Sequence, residues 1–148
     1  MKRTQLKRGT SQMKRSAWVK KIKPKVKKKR TKLPSLRKLQ KDCDKLLTPI
    51  IKKLYPFSIF SGAPTEVAHH HVHKSKSNAL RYYIPNLIPL THAEHQALHH
   101  NESYHASRIV AIRGVEWFQD IERMKRTTVK TDRFYYMEHL ERLRGMLQ

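Results

Sequence analysis

The stretch AHHHVHKSKSNALRYYIPNLIPLTHAEHQALH, residues 68–99, decides the fold of this chain. Histidines are concentrated near both of its ends, and Asn86 precedes a short, largely apolar segment at 87–90. Thr91 and Glu94 form the Ser/Thr-x-x-Glu pattern of a capping box, which predicts that a helix begins at Thr91. The stretch therefore predicts a strand, a loop, a short extended segment and a helix, in that order.

The histidines are placed so that several of them can bind one metal ion. His95 and His99 are four residues apart in the predicted helix and so share one face. Neighbouring histidines in the strand point to opposite faces, so one can bind metal while the next faces substrate. The single Cys43 excludes an internal disulfide and a cysteine-based zinc finger, which leaves His, Asn, Asp or Glu as ligands.

The intervals between these residues resemble a known motif. His71 precedes Asn86 by 15 residues, Asn86 precedes His95 by 9, and His95 precedes His99 by 4. This pattern resembles the colicin-type motif of the HNH endonuclease superfamily, with its adjacent His pair, central Asn and paired helix His. The resemblance implies an α+β fold with a small ββα-metal core packed with flanking helices, and metal-dependent hydrolysis of DNA phosphodiester bonds.

The resemblance also implies a role for each matching residue. His71 resembles the general base, and a neutral imidazole can take a proton from water near pH 7. Asn86 resembles the residue that fixes the loop and orients the base, although in some members it ligates the metal. One divalent cation, Mg, Mn or Zn, would polarise the phosphate. Its predicted ligands are His70, His95 and His99.

Two of these assignments have an alternative. The pair His69 and His70 can replace His70 and His71 as ligand and base; we favour the later pair because its intervals fit better. Arg81 is predicted to reach a phosphate near the cut. The alternative for Arg81 is an ion pair with an acidic residue.

A wider resemblance is to phage recombination nucleases of the NinG/Rap kind and covers residues 36–125. The segment Ser58–Gly62 resembles their Cys-x-x-Cys-Gly knuckle with serines in place of cysteines. Their second cysteine pair falls near Thr91 and Glu94 in this chain. All four zinc ligands are thus replaced, and no structural zinc is expected.

Charge is concentrated at the N-terminus. The chain has a net charge of +22, and residues 1–33 contain 15 of its 33 Lys and Arg residues and no acid. We predict a disordered basic arm over 1–33 that binds DNA phosphates without sequence preference. A solubility tail or a ribosomal-type RNA-binding extension is the alternative. The predicted nucleic-acid contacts are Lys20, Lys21, Lys23, Lys25, Lys27, Lys28, Lys29 and Arg30.

Residues 34–148 are predicted to form the nuclease domain with its flanking helices. Apolar residues at spacings of three and four predict an amphipathic helix from Ser35 to Leu54, kinked or split at Pro49. Residues 58–72 predict two strands around a turn at 62–64. Further helices are expected at Val115–Lys125 and after a cap at Thr131.

The sequence thus predicts a metal-dependent DNA endonuclease that acts in phage recombination or DNA processing. Its partners would be duplex, single-stranded or branched DNA and, from the resemblance, a recombinase protein. No membrane segment is expected, and the predicted location is the cytoplasm of a bacterial host. The alternatives are a non-catalytic nucleic-acid-binding protein with a degenerate module, and a basic structural protein of a ribosome or virion.

Overall fold

A computed structural model describes residues 33–148 of the chain. This part is a mixed α+β unit, mostly helical, with six α-helices and a two-stranded sheet. The predicted arm and its eight basic contacts lie outside the described residues, except for the exposed Leu33. The elements are α1 (Leu36–Leu54), β1 (Val67–His70), α2 (Asn78–Arg81), β2 (Leu87–Leu90), α3 (His92–His100), α4 (Glu102–Arg113), α5 (Val115–Lys125) and α6 (Arg133–Gly145).

Helix α1 begins where the sequence predicts. The hydroxyl of Ser35 accepts a hydrogen bond from the backbone N–H of Lys38, which caps the first turn. Its apolar stripe packs into the core against α6 and β1. Pro49, predicted to kink or split the helix, lies within one continuous helix. It removes only the hydrogen bond to the carbonyl of Lys45, and packing on both sides of it preserves the helix.

The strand that carries the histidines pairs with a different partner from the one predicted. The hairpin around residues 62–64 is wrong: only an isolated bridge joins Phe57 and Pro64 there. Strand β1 instead pairs antiparallel with β2, with His70 opposite Leu87 and His69 opposite Ile88. Turn chemistry at 62–64 reverses the chain, but the continuous apolar segment at 87–90 offers the better partner because both of its faces are buried.

The two faces of this small sheet are covered by different helices. Leu87 packs in the cluster with Leu47 of α1, whereas Ile88 packs in the cluster with Leu98 of α3 and Ile109 of α4. Residues opposite each other on paired strands share a face. His70 therefore lies on the α1 side of the sheet, and His69 lies on the α3 side.

Helix α3 starts with the predicted capping box. The Thr91 hydroxyl accepts from the Glu94 N–H at 3.2 Å, and the Glu94 carboxylate accepts from the Thr91 N–H at 2.8 Å. Helix α5 has the predicted bounds. Helix α6 is capped by Asp132 and not by Thr131.

Helix α4 was not predicted. It is capped by the side chain of Asn101 and ends at Gly114, whose φ of 91° is a conformation that favours glycine. Half of its apolar residues are β-branched, which weakens the helical signal in the sequence. No helix within residues 33–148 is long and apolar enough to cross a membrane.

Candidate metal centre

A cleft of about 320 Å³ lies between α1 and α3, beside strand β1. Strand β1 lines it and β2 does not, so the cleft follows the edge of β1 away from its partner strand. Five of the ten histidines of the chain lie on its wall. The lining residues are Asp44, Leu47, Thr48, Ala68, His69, His70, His73, Lys74, His95 and His99.

Three imidazoles converge in this cleft. One nitrogen each from His69, His95 and His99 lies within 4.8 Å of the other two. The His95 and His99 rings are 4.6 Å apart between centroids, and the His69 ring is 5.2 Å from that of His95. The capping box starts α3 in a phase that turns two of its four histidines, His95 and His99, towards His69 of β1. These three residues could jointly hold a metal ion.

The electrostatics of the trio favour ligation. Burial, with the neighbouring His95 and His99, lowers the pKa of His69 to about 3. Burial and then His99 also lower the pKa of His95. Both rings are therefore neutral near pH 7, and a neutral imidazole has the lone pair that a metal requires.

The donor set fits a borderline divalent ion. Imidazole nitrogens suit Zn, Ni, Cu and Fe, whereas Mg prefers carboxylate and water oxygens. Two nitrogens on one tetrahedral zinc are ~3.4 Å apart, given Zn–N bonds of ~2.05 Å. The nitrogens of the trio, at up to 4.8 Å from one another, would approach by up to about 1.4 Å on binding. Three protein ligands leave a fourth position for water or substrate.

His70 occupies a different position from the one predicted for a metal ligand. Strand alternation directs it away from the trio, and its place beside His95 and His99 is taken by His69. Its Nε2 lies 3.0 Å from the carbonyl oxygen of Arg81. Because a carbonyl only accepts, Nε2 carries the proton and Nδ1 carries the lone pair. Burial lowers the pKa of His70, although the Arg81 carbonyl opposes this shift.

His71, the predicted base, lies outside the cleft. Its ring is 4.9 Å from that of Trp117 between centroids. With His69 it borders a separate small cavity of about 20 Å³ against α4. Burial lowers the pKa of His71. The structure therefore places His70, and not His71, on the wall of the cleft that His69, His95 and His99 also line.

Asn86 is completely buried and binds only backbone. Its Oδ1 accepts from the Val72 N–H at 2.8 Å, and its Nδ2 donates to the carbonyls of Val72 and Leu80 at 3.0 and 3.1 Å. These bonds join the two ends of the loop between β1 and α2. Asn86 holds the chain that follows the histidine run and does not itself line the cleft.

Arg81 pairs with an acidic residue, which was the alternative to a phosphate contact. Its Nε and Nη2 donate to the two carboxylate oxygens of Asp44 at 3.0 and 2.6 Å. The Arg81 side chain is only 11% exposed, so the pair is not a loose surface contact. Lys74 adds a second cation 4.0 Å from the same carboxylate.

The positions that resemble a lost zinc knuckle meet in space. The Ser58 hydroxyl donates to the carboxylate of Glu94, which also accepts from Thr91. Burial raises the pKa of Glu94, but hydrogen bonds from Ser58, Ser61 and Thr91 hold it below its usual value. A hydrogen-bonded cluster therefore joins the 58–62 turn to the start of α3.

The sequence reasoning missed the contribution of α1 to the cleft. Asp44 and Thr48 line it, although the spacing of apolar residues predicts only an amphipathic helix there. A signal was available: Asp44 is one of only two acids on a helix whose other charged residues are all basic. Comparison with protein-family models, curated proteins and solved structures found no match to this chain.

Proposed function

We propose that this chain is a metal-dependent endonuclease of the HNH type that hydrolyses DNA phosphodiester bonds. The observation that carries the proposal is the convergence of His69, His95 and His99 within 4.8 Å, next to a fourth imidazole, His70, on the same cleft wall. The order of two antiparallel strands and a histidine-bearing helix agrees with the ββα-metal arrangement that the sequence resembles.

In this proposal the ligand and base are shifted by one residue from the favoured sequence assignment. His69, His95 and His99 bind the metal, and His70 is the base. A bound divalent ion would supply Lewis-acid stabilisation of the scissile phosphate and of the leaving oxygen. The donor chemistry favours Zn or Ni over Mg for this role.

His70 has the features that a general base needs. Its Nε2–H donates to the Arg81 carbonyl, which fixes the tautomer and leaves Nδ1 as the acceptor. Nδ1 takes the proton from a water molecule as the water oxygen forms its bond to phosphorus and the leaving oxygen departs. Burial keeps the pKa of the ring low, so it is unprotonated before the reaction near pH 7.

The remaining predicted residues support this set indirectly. Asn86 holds the loop after the histidine run through Val72 and Leu80. Asp44 anchors Arg81, whose carbonyl orients His70. The polycationic sequence favours DNA as the substrate, since each phosphate contact releases counterions. The relation to phage recombination, and to a recombinase partner, stays a prediction from the resemblance.

The test is a supercoiled-plasmid nicking assay of the full chain with Mg, Mn, Zn or Ni added in turn. We expect nicking with at least one metal and its loss with a chelator. His99→Ala should abolish nicking, whereas His100→Ala, an exposed neighbour on the same helix, should retain it. His70→Ala should lose at least about a hundredfold in rate, as for loss of a general base, and His71→Ala should not.

Other outcomes separate the rival functions. DNA binding with no cleavage under any metal would support the non-catalytic nucleic-acid-binding protein. Melting of the fold on chelation, again without cleavage, would support a structural protein that binds metal for stability.

A further inference from the structure

One side of helix α1 presents a row of cations beside the cleft. We define the α1 basic face as Arg37, Lys41, Lys45 and Lys52, all of them exposed. Within residues 33–148, none of the four lies within 4.0 Å of a carboxylate. In contrast, Arg123 pairs with Asp120 on helix α5. The charge of the α1 basic face is therefore available to a ligand.

The face is continuous with the cleft wall. Successive helix residues are about 100° apart around the axis. Asp44 and Thr48 line the cleft and are thus about 40° apart. Lys41, Lys52 and Lys45 follow in the same direction, at about 60°, 80° and 100° from Asp44. The buried stripe with Leu47 and Ile51 lies in the opposite direction from Asp44. The residues that line the cleft therefore lie between the buried side of α1 and its basic face.

Neither acid of α1 interrupts this row. Asp44 is neutralised by the guanidinium of Arg81 and approached by Lys74. Asp42 lies about 160° from Asp44 around the axis, beyond the basic face. Asp42 shares a shallow surface hollow with Arg37, Lys41 and Lys45, but it lies on the side of the α1 basic face that is away from the cleft.

The length of the face suits a nucleic-acid backbone. Arg37 and Lys52 are 15 residues apart, or about 22 Å along the helix axis at 1.5 Å per residue. One strand of a duplex presents a phosphate about every 3.4 Å of its axis, so about six phosphates match this length. The ammonium groups of the three lysines can follow such a row as point charges, and the guanidinium of Arg37 can bind a phosphate through its planar fork.

We propose that the α1 basic face holds the phosphate backbone of the DNA strand that enters the cleft. The inference rests on the proposed nuclease function and deepens it, because it states which surface of the folded domain directs the substrate. Helix α1 then has two roles, since one side packs the core and the other guides the scissile strand to the histidines.

The test compares two triple variants of the full chain that remove the same charge. Lys41→Gln/Lys45→Gln/Lys52→Gln removes three of the four cations of the α1 basic face, and Arg126→Gln/Lys130→Gln/Arg144→Gln removes three exposed cations elsewhere. Binding to a fluorescent duplex is measured against salt, with circular dichroism to verify folding. We expect only the α1 variant to raise Kd by about tenfold or more, and to lower the salt slope by about three.

A photo-crosslinking residue at position 45 or 130 gives a positional readout. Crosslinks to DNA from position 45 and not from position 130 would support the proposal. Equal losses of affinity in both triple variants would overturn it, because DNA binding would then depend on the total positive charge and not on the α1 basic face. If the wild-type chain nicks no DNA, the proposed function fails, but the binding comparison still decides the role of the α1 basic face.

Discussion

Asp44 on α1 holds Arg81 on α2 through two hydrogen bonds, from Nε to Oδ1 at 3.0 Å and from Nη2 to Oδ2 at 2.6 Å. The carbonyl of the same Arg81 accepts from His70 at 3.0 Å. A helix outside the sheet is thereby connected to the histidine proposed as the base. The ion pair fixes the last turn of α2, which is only four residues long.

The Asp44–Arg81 pair should contribute to the stability of the domain. Asp44→Asn leaves a largely buried guanidinium without its counter-charge and should lower the free energy of unfolding by about 2 kcal/mol. Urea unfolding of Asp44→Asn, Arg81→Gln and the double variant measures the coupling. Strictly additive losses would show that the two residues do not stabilise each other.

Metal binding should depend on His69 and not on His70. His69→Ala removes a nitrogen of the converging trio and should raise the Kd for Zn by more than about tenfold. His70→Ala, the matched control on the adjacent residue, should leave Kd nearly unchanged. Calorimetric titration of both variants measures this. The reverse result would restore the pairing of His70 as ligand and His71 as base.

Asn86 should be a structural anchor whether or not metal is bound. Asn86→Ala leaves backbone groups of Val72 and Leu80 without a partner and should lower the free energy of unfolding by about 3 kcal/mol. The comparison is Asn101→Ala, which removes only a helix cap and should cost about 1 kcal/mol. Denaturant unfolding that gave the two variants equal losses would contradict the anchoring role.

The stability of the metal-free chain should fall in acid. Burial lowers the pKa of His69 to about 3 and also lowers that of His139, so the unfolded state binds more protons below about pH 6.5. Stability is therefore complete above pH 6.5 and is lost as pH falls towards the folded pKa values. Each such histidine contributes a slope of up to about 1.4 kcal/mol per pH unit.

His139 allows this dependence to be measured away from the candidate metal centre. His139→Gln should flatten the decline in melting temperature between pH 7 and pH 5, with a chelator present throughout. His100→Gln, which changes an exposed ring, is the control. A His139→Gln profile as steep as that of the wild type would contradict the assignment.

The cluster around Glu94 should be convertible into a zinc site. Cysteines at Ser58, Ser61, Thr91 and Glu94 would place four thiols where the present side chains hydrogen-bond to one another. We expect one additional tightly bound zinc, detected by the absorption of its cobalt substitute. Glu94→Ala alone, which breaks the capping box, should bind no zinc beyond that of the unaltered chain. Absence of thiolate–cobalt absorption in the four-cysteine variant would contradict the likeness to a knuckle.

The sequence predicted those helices that have a capping residue and a regular spacing of apolar residues. Ser35 starts α1, and Thr91 with Glu94 starts α3, because the bonds that cap a helix are made within its first turn. The spacing of His95 and His99 fixed their shared face for the same reason. Helix α4 was missed because its hydrophobic periodicity is weak and half of its apolar residues are β-branched.

Only the tertiary structure decided which of the three consecutive histidines, residues 69–71, lies beside the histidines of α3. Three consecutive histidines alternate between faces, and a shift of one residue in strand pairing exchanges the faces completely. The pairing of His69 with Ile88 and of His70 with Leu87 sets that choice. Intervals along the chain do not determine it, because it depends on which side of β2 is buried by α1 and which by α3 and α4. The partner of Arg81 was undetermined for a similar reason: Asp44 lies 37 residues away, and only folding brings the two together.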